Sequence, residues 1–259
     1  MNIIIGILIP FIGTSLGAAC VYGMKKELNK KINKILLGFA SGVMMAASVW
    51  SLIVPAIDMS YNMGKFAFIP ASVGVLIGVL FIYSLDKVIP HLHIDSQKEE
   101  GIKTNNLKKT TKLLLSVVLH NIPEGMAVGI TFAAVMNGGN AVTFASAIAL
   151  SLGIAIQNFP EGAIISMPLR GEGLSKNKSF IYGVLSGIVE PIAAGITIMF
   201  SSIITPIMPY LLSFAAGAMI FVVVEGLIPE AAEDNSADTS AIAFSVGFII
   251  MMILDVALS

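Results

Sequence analysis

The sequence predicts an all-α, polytopic membrane protein of eight transmembrane helices. Three observations predict it. Hydrophobic residues make up 56% of the 259-residue chain and charged residues only 12%, with a mean hydropathy of +0.90. A soluble domain carries about 25% charged residues, so a soluble fold of this composition would lack a surface. The apolar residues fall into eight runs, each long enough to cross a hydrocarbon core of about 30 Å as a helix. Of the 15 Lys and Arg residues, all but Lys65 sit on alternate connections between those runs. The net charge of −1 argues against nucleic acid as a partner. Cys20 is the single cysteine, which argues against a disulfide framework and a thiolate metal site.

The runs lie in order at roughly 2–24, 33–59, 66–89, 108–136, 141–169, 178–204, 207–230 and 238–258. Together they make one transmembrane domain over 1–259. The first run has no basic leader and is long enough to span, so it reads as a helix and not as a cleaved signal. Several runs contain proline, which lipid tolerates where neighbouring helices satisfy the freed backbone groups. Small-residue pairs four apart recur at Gly13/Gly17, Gly38/Gly42, Gly74/Gly78 and Gly183/Gly187. They predict close helix packing.

The connections orient the bundle. Lys25, Lys26, Lys30, Lys31 and Lys34 flank the first connection, and Lys87, Lys98, Lys103, Lys108, Lys109 and Lys112 the third. Arg170, Lys176 and Lys178 flank the fifth. The positive-inside rule makes these connections cytoplasmic, and an even number of spans then puts both termini outside. The seventh connection is acidic, with Glu230, Glu233, Asp234 and Asp238, and acids weigh little in that rule. The longest connection, 90–107, is read as a cytoplasmic polar loop. Its His91 and His93 are spaced to hold a metal transiently, but an ordinary solvated loop is the favoured reading.

One short pattern occurs twice. The fourth run contains His120-Asn121-Ile122-Pro123-Glu124-Gly125, and the fifth Gln157-Asn158-Phe159-Pro160-Glu161-Gly162. A carboxylate at the bilayer centre costs roughly 2.5–3.5 kcal/mol on insertion scales, so two copies mark function. At about 100° per residue, Glu124 lies between His120 and Asn121 on the helix surface. Glu161 lies likewise between Gln157 and Asn158. Two such helices face to face make two adjacent metal positions bridged by the two glutamates. The first takes His120, Gln157, Glu124 and Glu161, and the second takes Asn121, Asn158 and the same glutamates. Pro123 and Pro160 cannot donate to the carbonyls of Leu119 and Ile156, so each span is expected to bend there. The following glycine leaves room for a close approach.

Depth agrees. At about 1.5 Å per residue, Glu124 lies roughly 18 Å from Lys112, Glu161 roughly 13–14 Å from Arg170, and Glu190 roughly 18 Å from Lys178. All three fall near the midplane, and Glu190 is assigned to the second position. Glu225, nearer the cytoplasmic end, is a candidate for an exit route. The set of imidazole, carboxylate and amide suits Zn²⁺, Fe²⁺, Mn²⁺ or Cd²⁺ and argues against Cu⁺. Three carboxylates together hold protons when no cation is present, so metal arrival should release them.

These residues resemble the ZIP family of divalent metal transporters. The two motifs carry the resemblance, together with Val189-Glu190-Pro191 in the sixth run. The stretches Ser41 to Ser48 and Val224 to Glu230 are similar to the bacterial GufA-type branch. The resemblance implies a 3 + 2 + 3 bundle, its outer triplets related by a pseudo-twofold axis around the motif-bearing pair. It implies a binuclear centre between that pair, and transport by movement of one helix group against another. It further implies metal movement into the cytoplasm, frequent dimerisation, and a span-two methionine, Met44, against the first position. The expected substrate is zinc, with cadmium, iron or manganese also carried, and no organic cofactor. The sequence departs from the family at Gln157 and Asn158, where members often carry His or Asp, and in a short, histidine-poor 90–107 loop.

Two other readings compete. An intramembrane metal-dependent hydrolase would need an open coordination position and a general base, usually on a His-Glu-x-x-His helix, and no such signature is present. A metal-gated channel shares the same ligands as a carrier.

Overall fold

The computed structural model describes residues 2–23, 29–92, 99–102, 109–138, 141–171, 173–201, 205–232 and 237–258. Lys25, Lys26, His93, Lys98, Lys103, Lys108, Glu233 and Asp234 lie outside the described residues.

Among the described residues, eight helical spans are long and apolar enough to cross a membrane: Ile3–Gly23, Lys30–Asp58, Phe68–Val88, Thr110–Met136, Phe144–Gly171, Lys176–Met199, Met208–Ala232 and Ala237–Leu258. We number them spans 1 to 8. The protein is thus a multi-pass, all-helical membrane protein. Side-chain caps fix several starts. Asn29 accepts from the Lys31 amide at 2.9 Å ahead of span 2, and Ser175 from the Lys178 amide at 3.3 Å ahead of span 6. Thr143 and Ser146 bond reciprocally at the head of span 5, each hydroxyl accepting the other's amide. Spans 4 and 5 run unbroken as α-helices through Pro123 and Pro160.

Burial sorts the spans into two shells. Spans 2, 4 and 5 are 67% buried over their most apolar stretch and span 7 is 56% buried, against 22–39% for spans 1, 3, 6 and 8. The inner four hold most of the buried polar residues, and the outer four present Ile, Leu and Phe to the surroundings. Packing pairs the shells: span 1 lies on span 5, span 6 on span 4, span 8 on span 2, and span 3 on span 7. This pattern maps onto itself when spans 1–3 exchange with 6–8 and span 4 with span 5, as a pseudo-twofold arrangement requires.

The small-residue pairs sit at these crossings. A Cβ at Gly13 or Gly17 would overlap the Ala155 or Phe159 backbone of span 5. Gly38 and Gly42 meet the Ser240 and Phe244 backbones of span 8, and Gly74 and Gly78 the Tyr210 and Phe214 carbonyls of span 7. Gly183 and Gly187 abut the side chains of Ala18 and Thr14.

Spans 2 and 7 each contain a π-helical turn, Ser48–Ile53 and Val223–Leu227. Proline comes just after both turns, as Pro55 and Pro229. Each proline would clash with the carbonyl four residues back, Ser51 or Glu225, and the wider turn relieves that crowding.

The third connection corrects one expectation. His91 is 2% exposed, not solvated. Its Nε2 lies 3.1 Å from Asp86 Oδ1, and its Nδ1 lies 2.9 Å from the Ile89 carbonyl oxygen. His91–Leu92 pairs antiparallel with Glu99–Glu100 and packs on span 4. Burying the ring gives the loop an anchor that its polar composition concealed.

Candidate metal centre

The structure gathers the sequence-predicted residues at the middle of the inner shell. Asn121, Glu124, Gln157, Asn158 and Glu190 are each at most 1% exposed, as is Met44. Gly125 lets span 4 meet the Glu190 backbone of span 6 directly, and Gly162 lets span 5 meet the Thr14 carbonyl of span 1. The glycine of each motif therefore brings in one further helix, and the one met by Gly125 carries a carboxylate.

Amide groups orient the carboxylates. Gln157 Nε2 donates to Glu124 Oε1 at 2.6 Å, linking spans 5 and 4. Asn121 Nδ2 donates to Glu190 Oε1 at 3.0 Å and to the Ser186 carbonyl at 3.2 Å. Thr14 Oγ1 donates to the same Glu190 oxygen at 3.0 Å. Glu124 and Glu190 both lie within electrostatic range of Glu161, and Asn158 stands beside both.

These bonds leave a group of acceptors, together with the Asn158 side-chain nitrogen, without partners. Asn121 Oδ1, Glu124 Oε2, Gln157 Oε1, Asn158 Oδ1, Glu161 Oε1 and Glu190 Oε2 are all buried with no hydrogen-bond partner. An unmet buried polar group costs about 1–3 kcal/mol, so such groups rarely collect without cause. A convergent set of acceptor oxygens is what a hard or borderline cation requires. Among the described residues, no three imidazole, thiolate or carboxylate groups alone stand close enough to cage a metal. Amide oxygens of Asn121, Gln157 and Asn158 stand among the partnerless acceptors.

A cavity of about 40 Å³ adjoins this cluster, lined by Met44, Ser116, His120, Gln157, Glu161 and Glu230 among others. That volume accommodates a partly hydrated ion or a few waters. The expected first-position residues His120, Gln157 and Glu161 thus share one cavity wall with Met44. Asn121, Glu190 and Thr14 form the neighbouring group.

Two polar residues beside the cluster gave no expectation in the sequence, Glu230 on the cavity wall and Thr14 on Glu190. Glu230 lies in span 7, 9% exposed, and lines the cavity, whereas Glu225, in the π turn, does not. The signal was present, since Ile228-Pro229-Glu230 repeats the x-Pro-Glu of both motifs. Lys34, 1% exposed, donates to the Glu230 carbonyl at 2.7 Å. Thr14 gave no signal, because a lone threonine in an apolar span usually bonds its own backbone.

A family model described as "ZIP Zinc transporter" matches residues 93–255. The chain is 36% identical to zinc transporter ZIP11 of Xenopus tropicalis, over 98% of this chain and 96% of that protein. It is 34% identical to zinc transporter ZIPB of Bordetella bronchiseptica, covering 96% of this chain and 78% of the relative. Against zinc transporter GufA of Myxococcus xanthus the identity is 30%, with 95% and 94% covered. With the family model matching most of the chain and relatives aligned from end to end, the chain belongs to the ZIP zinc transporter family, whose members are transporters and not enzymes.

Proposed function

We propose that this protein carries zinc, and with it cadmium, iron or manganese, across the cell's plasma membrane into the cytoplasm. The observation that carries the reading is the set of partnerless acceptor oxygens on Asn121, Glu124, Gln157, Asn158, Glu161 and Glu190 at the bundle centre. In this reading the cargo occupies two adjacent positions. His120, Gln157, Glu124 and Glu161 hold the first, with Met44 against it. Asn121, Asn158 and Glu190, with the shared glutamates, hold the second. The relatives' names supply zinc as the first metal to test. The lysine-rich connections support cytoplasmic loops and external termini.

The cavity that links His120 and Glu161 to Glu230 supplies the start of a path toward the lysine-rich end. A homodimer in the lipid bilayer is the proposed assembly, and the reading needs no organic cofactor. A hydrolase has no place in a family of transporters.

Uptake by purified protein in proteoliposomes, against a panel of Zn²⁺, Cd²⁺, Fe²⁺ and Mn²⁺, tests the reading. Wild type should accumulate zinc, and Glu124→Ala and His120→Ala should abolish uptake while still folding. Undiminished uptake in both variants would overturn the site assignment.

A further inference from the structure

Thr14 brings a polar side chain of span 1 into hydrogen-bond contact with the cluster. It is fully buried, and its Oγ1 lies 3.0 Å from Glu190 Oε1, with the Pro10 carbonyl at 3.4 Å as the weaker alternative. Its position is tightly walled. A Cβ at Gly187 would stand 2.8–3.0 Å from the Thr14 side chain, and one at Gly162 would overlap the Thr14 carbonyl. Glycine at both places lets the threonine sit between spans 5 and 6, with little room to change rotamer.

Glu190 shows the effect. Two donors, Thr14 and Asn121, converge on Oε1, and Oε2 is left buried with no partner. The terminal torsion of a glutamate is broad, so nothing intrinsic to the side chain fixes the rotation of its carboxylate plane. A pair of donors on one oxygen fixes it and sets the direction of the other oxygen. Asn121 gives one hydrogen of its amide to Glu190 and the other to the Ser186 carbonyl, and Thr14 supplies the second donor on Oε1.

We infer that Thr14 is a positioning residue, whose hydroxyl clamps one oxygen of Glu190 so that the other is presented to a divalent cation at the second position. The inference rests on the reading of Glu190 as a ligand of that position. Partners that orient metal ligands typically contribute 10–100-fold to metal affinity.

The test uses the full-length protein in detergent, with zinc binding measured by calorimetry and folding measured separately by thermal melting. Thr14→Val keeps the shape and removes the hydroxyl, and Thr14→Ser keeps the hydroxyl and removes the methyl. The expected result is a two-step isotherm in which Thr14→Val weakens one step by about 10–100-fold and leaves the other near wild type. Thr14→Ser should restore both steps. Should Thr14→Val fail to fold, Thr14→Ala replaces it and carries the same expectation. Wild-type binding by the hydroxyl-free variant overturns the inference. So does equal impairment in Thr14→Ser, which would make the methyl contact with Gly187 the cause. Glu190→Gln separates the two levels: if it too leaves both steps intact, the ligand reading of Glu190 fails. If it weakens a step that Thr14→Val does not, only the role of Thr14 fails.

Discussion

The side-chain amide of Gln157 donates to Glu124 Oε1 across 2.6 Å, joining the two motif helices at a fully buried point. The neutral residue at this position supplies a donor for the carboxylate and keeps an oxygen, Oε1, buried without a partner, which the proposed reading gives to the cation. Gln157→Leu removes both functions at similar size. It should lower zinc affinity by about 10–100-fold, read by competition with a chelating dye. Gln157→His replaces the amide oxygen with an imidazole ligand and should keep measurable uptake.

Glu230 lines the cavity beside His120 but stands on span 7, outside the two motif-bearing spans. Glu230→Gln should therefore slow zinc uptake by about tenfold at saturating metal, while equilibrium binding in detergent stays within about twofold of wild type. Equal losses in both measurements would place Glu230 in the binding set itself.

The glycine crossings make a contrast that stability measurements can read. Gly17→Ala places a methyl against the Phe159 carbonyl, and overpacking of this kind costs about 1–3 kcal/mol. Gly195, within span 6, has nothing within 4 Å of its would-be Cβ. Gly195→Ala should be neutral, or stabilising by up to about 1 kcal/mol through helix propensity. Thermal melting in detergent checks both.

His91 anchors the paired strands through Asp86 and the Ile89 carbonyl. His91→Ala should expose the segment around 91–102 to limited proteolysis while zinc affinity of the central cluster stays unchanged. Undiminished protease resistance would show that the contact of the 91–92 strand with span 4 suffices without the ring.

The membrane made part of this molecule unusually legible. His120, Glu124, Glu161 and Glu190 stand out because polar groups are expensive in hydrocarbon, and helical periodicity places each motif glutamate between its neighbours. The partners of each span were not legible. Lipid and bundle interior are equally apolar, so Gly13 and Gly17 declare a contact face without naming span 5 as its occupant. Glu230 was hidden by its place at the edge of an acidic connection. His91 was hidden because a buried contact between a loop imidazole and Asp86 at the end of span 3 leaves no periodic trace. Thr14 was hidden because its bond to Glu190 spans 176 positions of sequence.

The π turn at Val223–Leu227 has a consequence for insertions and deletions in span 7. Such a turn holds one residue more than an α-helical turn, so the helix beyond it is rotated by about 100° relative to a regular one. That next segment is Ile228–Ala232, the short helix that carries Glu230. Glu230 faces the cavity because of that surplus residue. Deleting Val224 should heal the turn into an ordinary helix, preserve the length needed to cross the bilayer, and swing Glu230 a quarter-turn away from His120. A single-codon deletion, harmless to hydropathy and to the motifs, would thus redraw the wall of the cavity.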